Sequence, residues 1–485
     1  MLSGDNGILQ RAADAKTKSE EAQVRERIRL AYNSALTKDV TNQNEEVQKL
    51  TLEDELENEF PNKTIEITES TDKKEWIIAI DDITENVPIG KDTPQVATLP
   101  SGNGTKPYFP STAFSQVEGT DLSTGLVITD KAEKENVGNE YVWIEVPSTY
   151  VDNTVTTGPN YSSVSNSTDY TNISIALRNY CTKDINSANL IAIGTSSDGT
   201  YGSTSTYGYT DTWYDGNGKI TSESSNTSDT TGCGLTSTQY TTLYHKMLKS
   251  VYENGGFWIG RYEAGQSGDT GRENKNDSIY GILPLSQPNL IPIFNITCSQ
   301  AQTIAGNAKN LDNTKYTSSL MFGIQWDLVL RHLSNKGIET NILTNDSSSW
   351  GNFSNTTNAS LTGGKYTQYM NSSYQNTFNT WISYDVDLGE FIQGKTLLKN
   401  AGMPQGILLT TGISSKFNKK NIYDLAGNLD EFTLEMSTAT PSSAAGPCTA
   451  RGLCFPGSGA VAYRCGVPTT GSLTPYNDGF RICIY

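Results

Sequence analysis

The stretch NIYDLAGNLDEFTLE (residues 421–435) holds a turn and a strand in one run. Gly427 permits a tight turn, and short strands such as ILLTT (407–411) lead into it. The adjacent acids Asp430 and Glu431 fall inside this run, where structural hydrogen bonding is a better use for them than general acid–base work. Four shorter motifs accompany it in a set order: GGFWIGRYEAG (255–265) before it, then RG (451–452), AYR (462–464) and GFR (479–481) after it. Gly479 lets the last strand pass close to a neighbour. Arg451, Arg464 and Arg481 are suited to fork onto buried carboxylates or carbonyls and so hold a loop-rich fold together. Their expected role is structural, not catalytic.

Working outward, GLVIT (125–129) and EYVWIEVP (140–147) alternate as paired strands do. Residues 150–236 are dominated by Ser, Thr, Asn, Gly and Tyr and read as display loops or a partly ordered insertion. STQYTTLYHKMLKSVYENGG (237–256) carries Tyr240, Leu243, Tyr244, Met247, Leu248 and Val251 at helical spacing, stopped by Gly255 and Gly256. FWIGRYEAG is a buried strand, CSQAQTIAGNA (298–308) a short helix, and SSLMFGIQWDLVLRHLSNKG (318–337) a strong helix ended by Gly337. The expected fold class is α+β, with helices and many short strands under long loops. At the other end, residues 5–37 read as one long solvated helix with a thin stripe of Ala and Ile. TLEDELENEF (51–60) follows as an acidic helix, and KTIEITES and EWIIAID form a hairpin. Domains are therefore expected at 1–90 and 125–485, with a Pro/Gly/Ser/Thr-rich linker at 91–124.

Composition narrows the function. The chain has 485 residues, 35% of them hydrophobic, and a net charge of −17. That charge argues against nucleic acid and anionic membrane surfaces, because nothing would neutralise phosphates. The seven cysteines, Cys181, Cys233, Cys298, Cys448, Cys454, Cys465 and Cys483, form neither CxxC nor CxxxC. A zinc knuckle or dense disulfide framework is not expected. His245 and His332, each within a helix, give a histidine-based triad or zinc site little to work with. No enzyme activity, resident metal or cofactor is expected, although the acidic balance leaves oxygens for a structural calcium ion.

The ordered set of motifs resembles the formylglycine-generating-enzyme (sulfatase-modifying factor) version of the C-type lectin fold, over residues 125–485. The family form of the middle motif is closer to YDxxGNVWEW; here Asp430 and Phe432 stand where its tryptophans would be. Oxidase members of that family bind copper through two closely spaced cysteines. Cys454 and Cys465 lie eleven apart, so a copper-dependent oxidase is the alternative reading and not the expected one. Separately, LSGDNGILQRAADAKTKSEEAQ (2–23) resembles the segment that follows the apolar, membrane-anchoring half of type IV pilin helices. The resemblance implies other pilin subunits as partners and a location at a bacterial cell surface or pilus. Membrane contact is expected only through that apolar half, which this chain lacks along with a signal peptide. A plain structural pilus subunit is a further alternative.

From Ser437 to the end, 49 residues contain no Lys, Glu, Gln, Met or Trp, while the preceding 436 contain 80; at that density about nine would fall in the tail. These five amino acids share one property: none has a codon ending in a pyrimidine. The tail resembles the C-terminal variable region (about 449–481) of the variable proteins of diversity-generating retroelements, in which AAY template codons are rewritten. Those proteins present a randomised ligand-binding surface on a lectin-type scaffold. The resemblance assigns Arg451, Gly452, Ala462, Arg464, Thr469, Thr470, Ser472, Gly479, Phe480 and Arg481 to the fixed skeleton. Candidate binding positions are then Leu453, Cys454, Phe455, Pro456, Tyr463, Cys465, Gly466, Val467, Gly471, Leu473, Thr474, Tyr476 and Asp478. Phe, Tyr and Leu side chains gathered on one face supply most of the energy of a protein interface. The expected partner is a protein on another cell, a phage or a host. Sugar binding ranks low because the tail holds one acid, Asp478.

Overall fold

A computed structural model describes residues 48–71, 75–88, 99–102, 104–132, 137–147, 167–182, 209–213, 232–268, 278–356, 364–368, 381–383, 407–437, 448–467 and 477–485, with part of 21–38. The chain divides into two compact units, Met1–Thr98 and Leu99–Tyr485.

In the first unit the described residues between 21 and 38 are helical; the start of the expected helix, 5–20, lies outside the described residues. Helix α1 (Lys49–Glu59) follows, then an antiparallel meander of β1 (Ile65–Glu69), β2 (Glu75–Ile80) and β3 (Ile83–Pro88). The meander adds a third strand to the expected hairpin. Ile28, Ala31 and Ala35, at one helical face, close over Leu52 and Leu56 of α1 and over Ile67, Ile78, Ile80 and Val87 of the sheet. The apolar stripe is thin because Ala lets the helix approach the sheet closely.

The second unit is α+β. A six-stranded sheet runs β11 (Ser318–Ser319), β21 (Cys483–Ile484), β8 (Gly256–Gly260), β6 (Glu140–Glu145), β5 (Val127–Thr129) and β4 (Ser115–Gln116). A second sheet contains β17 (Asp430–Ser437), β18 (Cys448–Arg451), β19 (Arg464–Val467), β20 (Asp478–Gly479) and β7 (Tyr209–Thr210). Smaller pairings join β9 (Gly265–Gln266) to β10 (Ile291–Pro292), β12 (Lys365–Gln368) to β13 (Ile382–Ser383) and β14 (Ile407–Leu409), and β15 (Asn418–Lys419) to β16 (Ile422–Tyr423). Among the described residues, five helices pack around them: α2 (Ser167–Thr182), α3 (Ser237–Asn254), α4 (Cys298–Ala305), α5 (Gly323–Asn335) and α6 (Thr340–Thr344).

The core lies between the large sheet and the helices, with Trp143 and Trp258 stacked edge to face at 5.0 Å across β6 and β8. α3 starts at a capping box between Thr236 and Gln239 and ends at a left-handed Gly255. α2 lies inside the segment read from composition as loops. Its Ile173, Ala176, Leu177 and Cys181 are buried at helical spacing, and it packs against α3 and α5. The supposed linker also needs correction. Residues 99–124 belong to the second unit, where Leu99 and Phe114 are buried and Tyr108 stacks on Tyr316 at 4.6 Å. A few aromatics dispersed among Pro, Gly and Ser suffice to bury this strap, and they hardly alter its composition.

Candidate functional site

Two of the sequence motifs meet through one buried acid. Glu263, from GRYEAG, accepts from the Asn428 side-chain amide (2.5 Å) and from the backbone amide of Leu429 (3.0 Å). Asn428 Oδ1 in turn accepts from Leu409 N (3.0 Å) and Asn352 Nδ2 (2.9 Å). Gly427 makes this possible: its φ is +76°, and a Cβ would stand 2.2 Å from the carbonyl oxygen of Asn352. Burial, reinforced by Asp424 and Glu431, pushes the Glu263 carboxyl up. A neutral carboxyl there can be buried without a counter-ion.

The strand that leaves this turn, β17, supplies alternating anchors. Glu431 binds Arg481 at 2.7 Å, and the same guanidinium donates to the carbonyls of Gly260 (2.9 Å) and Tyr423 (2.8 Å). On β18 and β19, Arg451 and Arg464 stand opposite each other in register. Both reach the pair Asp327 (α5) and Glu435 (β17): Arg451 at 2.8 and 3.4 Å, Arg464 at 2.7 and 3.0 Å. All four side chains are at most 1% exposed. Two guanidiniums and two carboxylates balance, which is the condition for tolerating charge at this depth. Gly479 lies beside Glu431 in the parallel pairing of β17 and β20, and a Cβ there would sit 2.5 Å from Leu429 Cδ1. Phe480 is fully buried.

Between these anchors the tail presents a different set of residues. Leu453, Pro456, Tyr463 and Cys465 are half-buried. Leu453 and Tyr463 converge over Gly459, where a Cβ would lie 2.6 Å from Leu453 Cδ1 and 2.8 Å from Tyr463 Cε2. Three expected binding positions are instead interior. Phe455 is fully enclosed, in a cluster with Ile291, Phe294, Leu408 and Leu429; Cys454 is buried, and burial with Asp430 nearby pushes its thiol up; Asp478 is buried on β20 beside Asp430. The reason is topological: Phe455 meets apolar side chains of β10, β14 and the turn before β17, and Asp478 lies on β20, which joins the sheet edge parallel to β17. Gly466 and Val467 lie in β19, paired with Thr449 and Cys448. Gly471, Leu473, Thr474 and Tyr476 lie outside the described residues, as do Thr469, Thr470 and Ser472.

Sequence reasoning named the arginines but missed Asp327 and Glu435, the partners of Arg451 and Arg464, as well as the buried Glu263 and the cap Asp211. Asp211 accepts from Gly323 N (2.7 Å) and Ile324 N (2.9 Å) at the start of α5. The usable signal was an acid inside an apolar run, as in QWDLVL.

Burial, with Asp430 beside it, pushes the Cys454 thiol well up. Among the described residues no group of three or more His, Cys, Asp or Glu side chains could hold a metal ion. The two histidines have different surroundings. His332 is buried, accepts at Nδ1 from the Glu145 amide (3.0 Å) and is pushed down to about 3 by burial, while His245 stacks on Tyr170 at 3.9 Å. Among the described residues no helix is long and apolar enough to cross a membrane. In comparisons with family models, curated proteins and solved structures, nothing matches the chain.

Proposed function

We propose that the chain is a non-catalytic ligand-binding protein of the retroelement-diversified kind, displayed on a bacterial surface or pilus. Its second unit is then a C-type lectin-like domain of the formylglycine-generating-enzyme type, and its first unit is pilin-like. The observation that carries this reading is the tail without Lys, Glu, Gln, Met or Trp over 49 residues. The geometry supports it: arginines anchored in a buried ion quartet alternate along the chain with half-exposed side chains. Such an arrangement lets surface residues change while the anchors hold the backbone.

Within the described tail, Leu453, Pro456, Tyr463 and Cys465 form the binding surface. Tyr is an anchor of the type enriched at protein interfaces and Leu453 adds apolar area beside it, so the target is a protein on another cell, a phage or a host. The test is to sequence the genomic DNA flanking the coding region. A near-copy of the tail segment, carrying AAY codons at positions 453, 456, 463 and 465, is the expected result. No such copy, or one that differs at the codons for Arg451 and Arg464, overturns the proposal.

A further inference from the structure

The tail loop between Gly452 and Tyr463 is gripped by a segment outside the tail, the turn that follows α6. Ser347, fully buried, is at its centre. Its backbone amide donates to the Gly459 carbonyl (2.8 Å). Its hydroxyl donates to the Ile342 carbonyl (2.6 Å) and accepts from the Val461 amide (2.9 Å). Further along the same turn, Ser354 donates to the Gly457 carbonyl from both its amide (3.0 Å) and its hydroxyl (2.8 Å). The Leu343 carbonyl of α6 accepts from the Ala462 amide (3.1 Å), and the Trp326 indole of α5 donates to the Val461 carbonyl (3.1 Å). Every tail group in these bonds is main chain. Leu453 and Tyr463, by contrast, approach Gly459 with their side chains.

We propose that Ser347 and Ser354 are positioning residues that hold the tail loop by its main chain, so that the side chains at 453, 456 and 463 can change without moving it. A backbone amide or carbonyl offers the same bond whatever side chain its residue carries, proline's missing N–H excepted. The Ser347 hydroxyl is committed to Ile342 as a donor, which turns a lone pair toward Val461. Both serines precede Ser437, where the stretch without Lys, Glu, Gln, Met or Trp begins, so rewriting of the tail leaves them intact. Their role as positioning residues rests on the tail being a varied surface; the grip itself operates whether or not the codons vary.

The test is hydrogen–deuterium exchange on the full chain, read by mass spectrometry over residues 457–463. It compares wild type, Leu453→Asn with Tyr463→Asn, Ser347→Ala, and all three substitutions together. Wild type and the tail variant are expected to exchange alike. Ser347→Ala should speed exchange about tenfold, and only in that background should the tail substitutions speed it further. A serine that merely supported the fold would lower the melting temperature equally in both backgrounds and show no such coupling. Should Ser347→Ala fail to fold, Ser354→Ala replaces it in the same comparison, with exchange about threefold faster and the same coupling expected. Unchanged exchange in the serine variant overturns the proposal, as do purely additive effects. So does a tail variant that, with Ser347 intact, exchanges as fast as Ser347→Ala. Exchange is indifferent to codons, so an invariant tail and a failed grip give separate results.

Discussion

Arg464 lies between Asp327 and Glu435 at 2.7 and 3.0 Å, so Arg464→Ala leaves two buried carboxylates to share the single guanidinium of Arg451. The expected loss is about 3–5 kcal/mol of stability, measured by denaturant unfolding. Leu453→Asn should behave differently. Leu453 has φ +60°, a backbone region that Asn enters readily and Leu does not. Relief of that strain offsets the lost apolar contact, and stability should stay within about 1 kcal/mol of wild type. The residue that AAY codons specify is thus the one this backbone favours. Burial also pushes the Asp424 and Asp430 carboxyls up to about 7. Their folded values lie above the ordinary aspartate value of 3.8, so between 3.8 and about 7 the folded state holds more protons than the unfolded one and stability falls as pH rises. The melting temperature should be higher at pH 5 than at pH 7.5, and Asp424→Asn with Asp430→Asn should flatten that slope. The arginines were legible in the sequence because their spacing with Gly and Phe was conspicuous. The interior placement of Phe455, Cys454 and Asp478 was not, because it depends on contacts distant in sequence, such as Phe455 with Ile291 and Phe294 and β20 beside β17.

At the scale of elements, legibility followed the strength of the local signal. α3 and α5 carry dense apolar stripes followed by glycines; α3 stands where periodicity predicted, whereas α5 begins at Gly323, not Ser318, because Ser318 and Ser319 pair with β21. α2 was lost within Ser- and Thr-rich surroundings, although Ile173, Ala176, Leu177 and Cys181 follow a helical period. Leu177→Ala should cost about 2–5 kcal/mol, read from the thermal or denaturant midpoint; a midpoint like wild type would mean that this helix contributes no core. Asp211 makes a parallel case. Nothing local marks it as a cap for a helix more than a hundred residues away, yet it satisfies two amides at the start of α5. Strands of two residues, such as β20 and β21, have no sequence signature of their own and are fixed by the partners they meet.

For the whole molecule, the division falls between Thr98 and Leu99, and the two hydrophobic clusters on either side are separate. A chain of residues 99–485 should therefore fold alone and give a cooperative melt; loss of near-UV circular dichroism in that chain would contradict two independent cores. The α+β class and the order of its motifs were readable because the glycines and arginines that fix the scaffold are chemically distinctive. The function rests on a different signal, an absence in the tail whose meaning lies in codons. The most direct measurement is deep sequencing of the codons for residues 437–485 across many cells of the source population. The account predicts substitutions at positions 453, 456, 463 and 465, with every varied codon ending in a pyrimidine, and invariant codons for Arg451, Arg464, Phe480 and Arg481. An invariant tail, or variation spread evenly over anchors and surface positions, would contradict it.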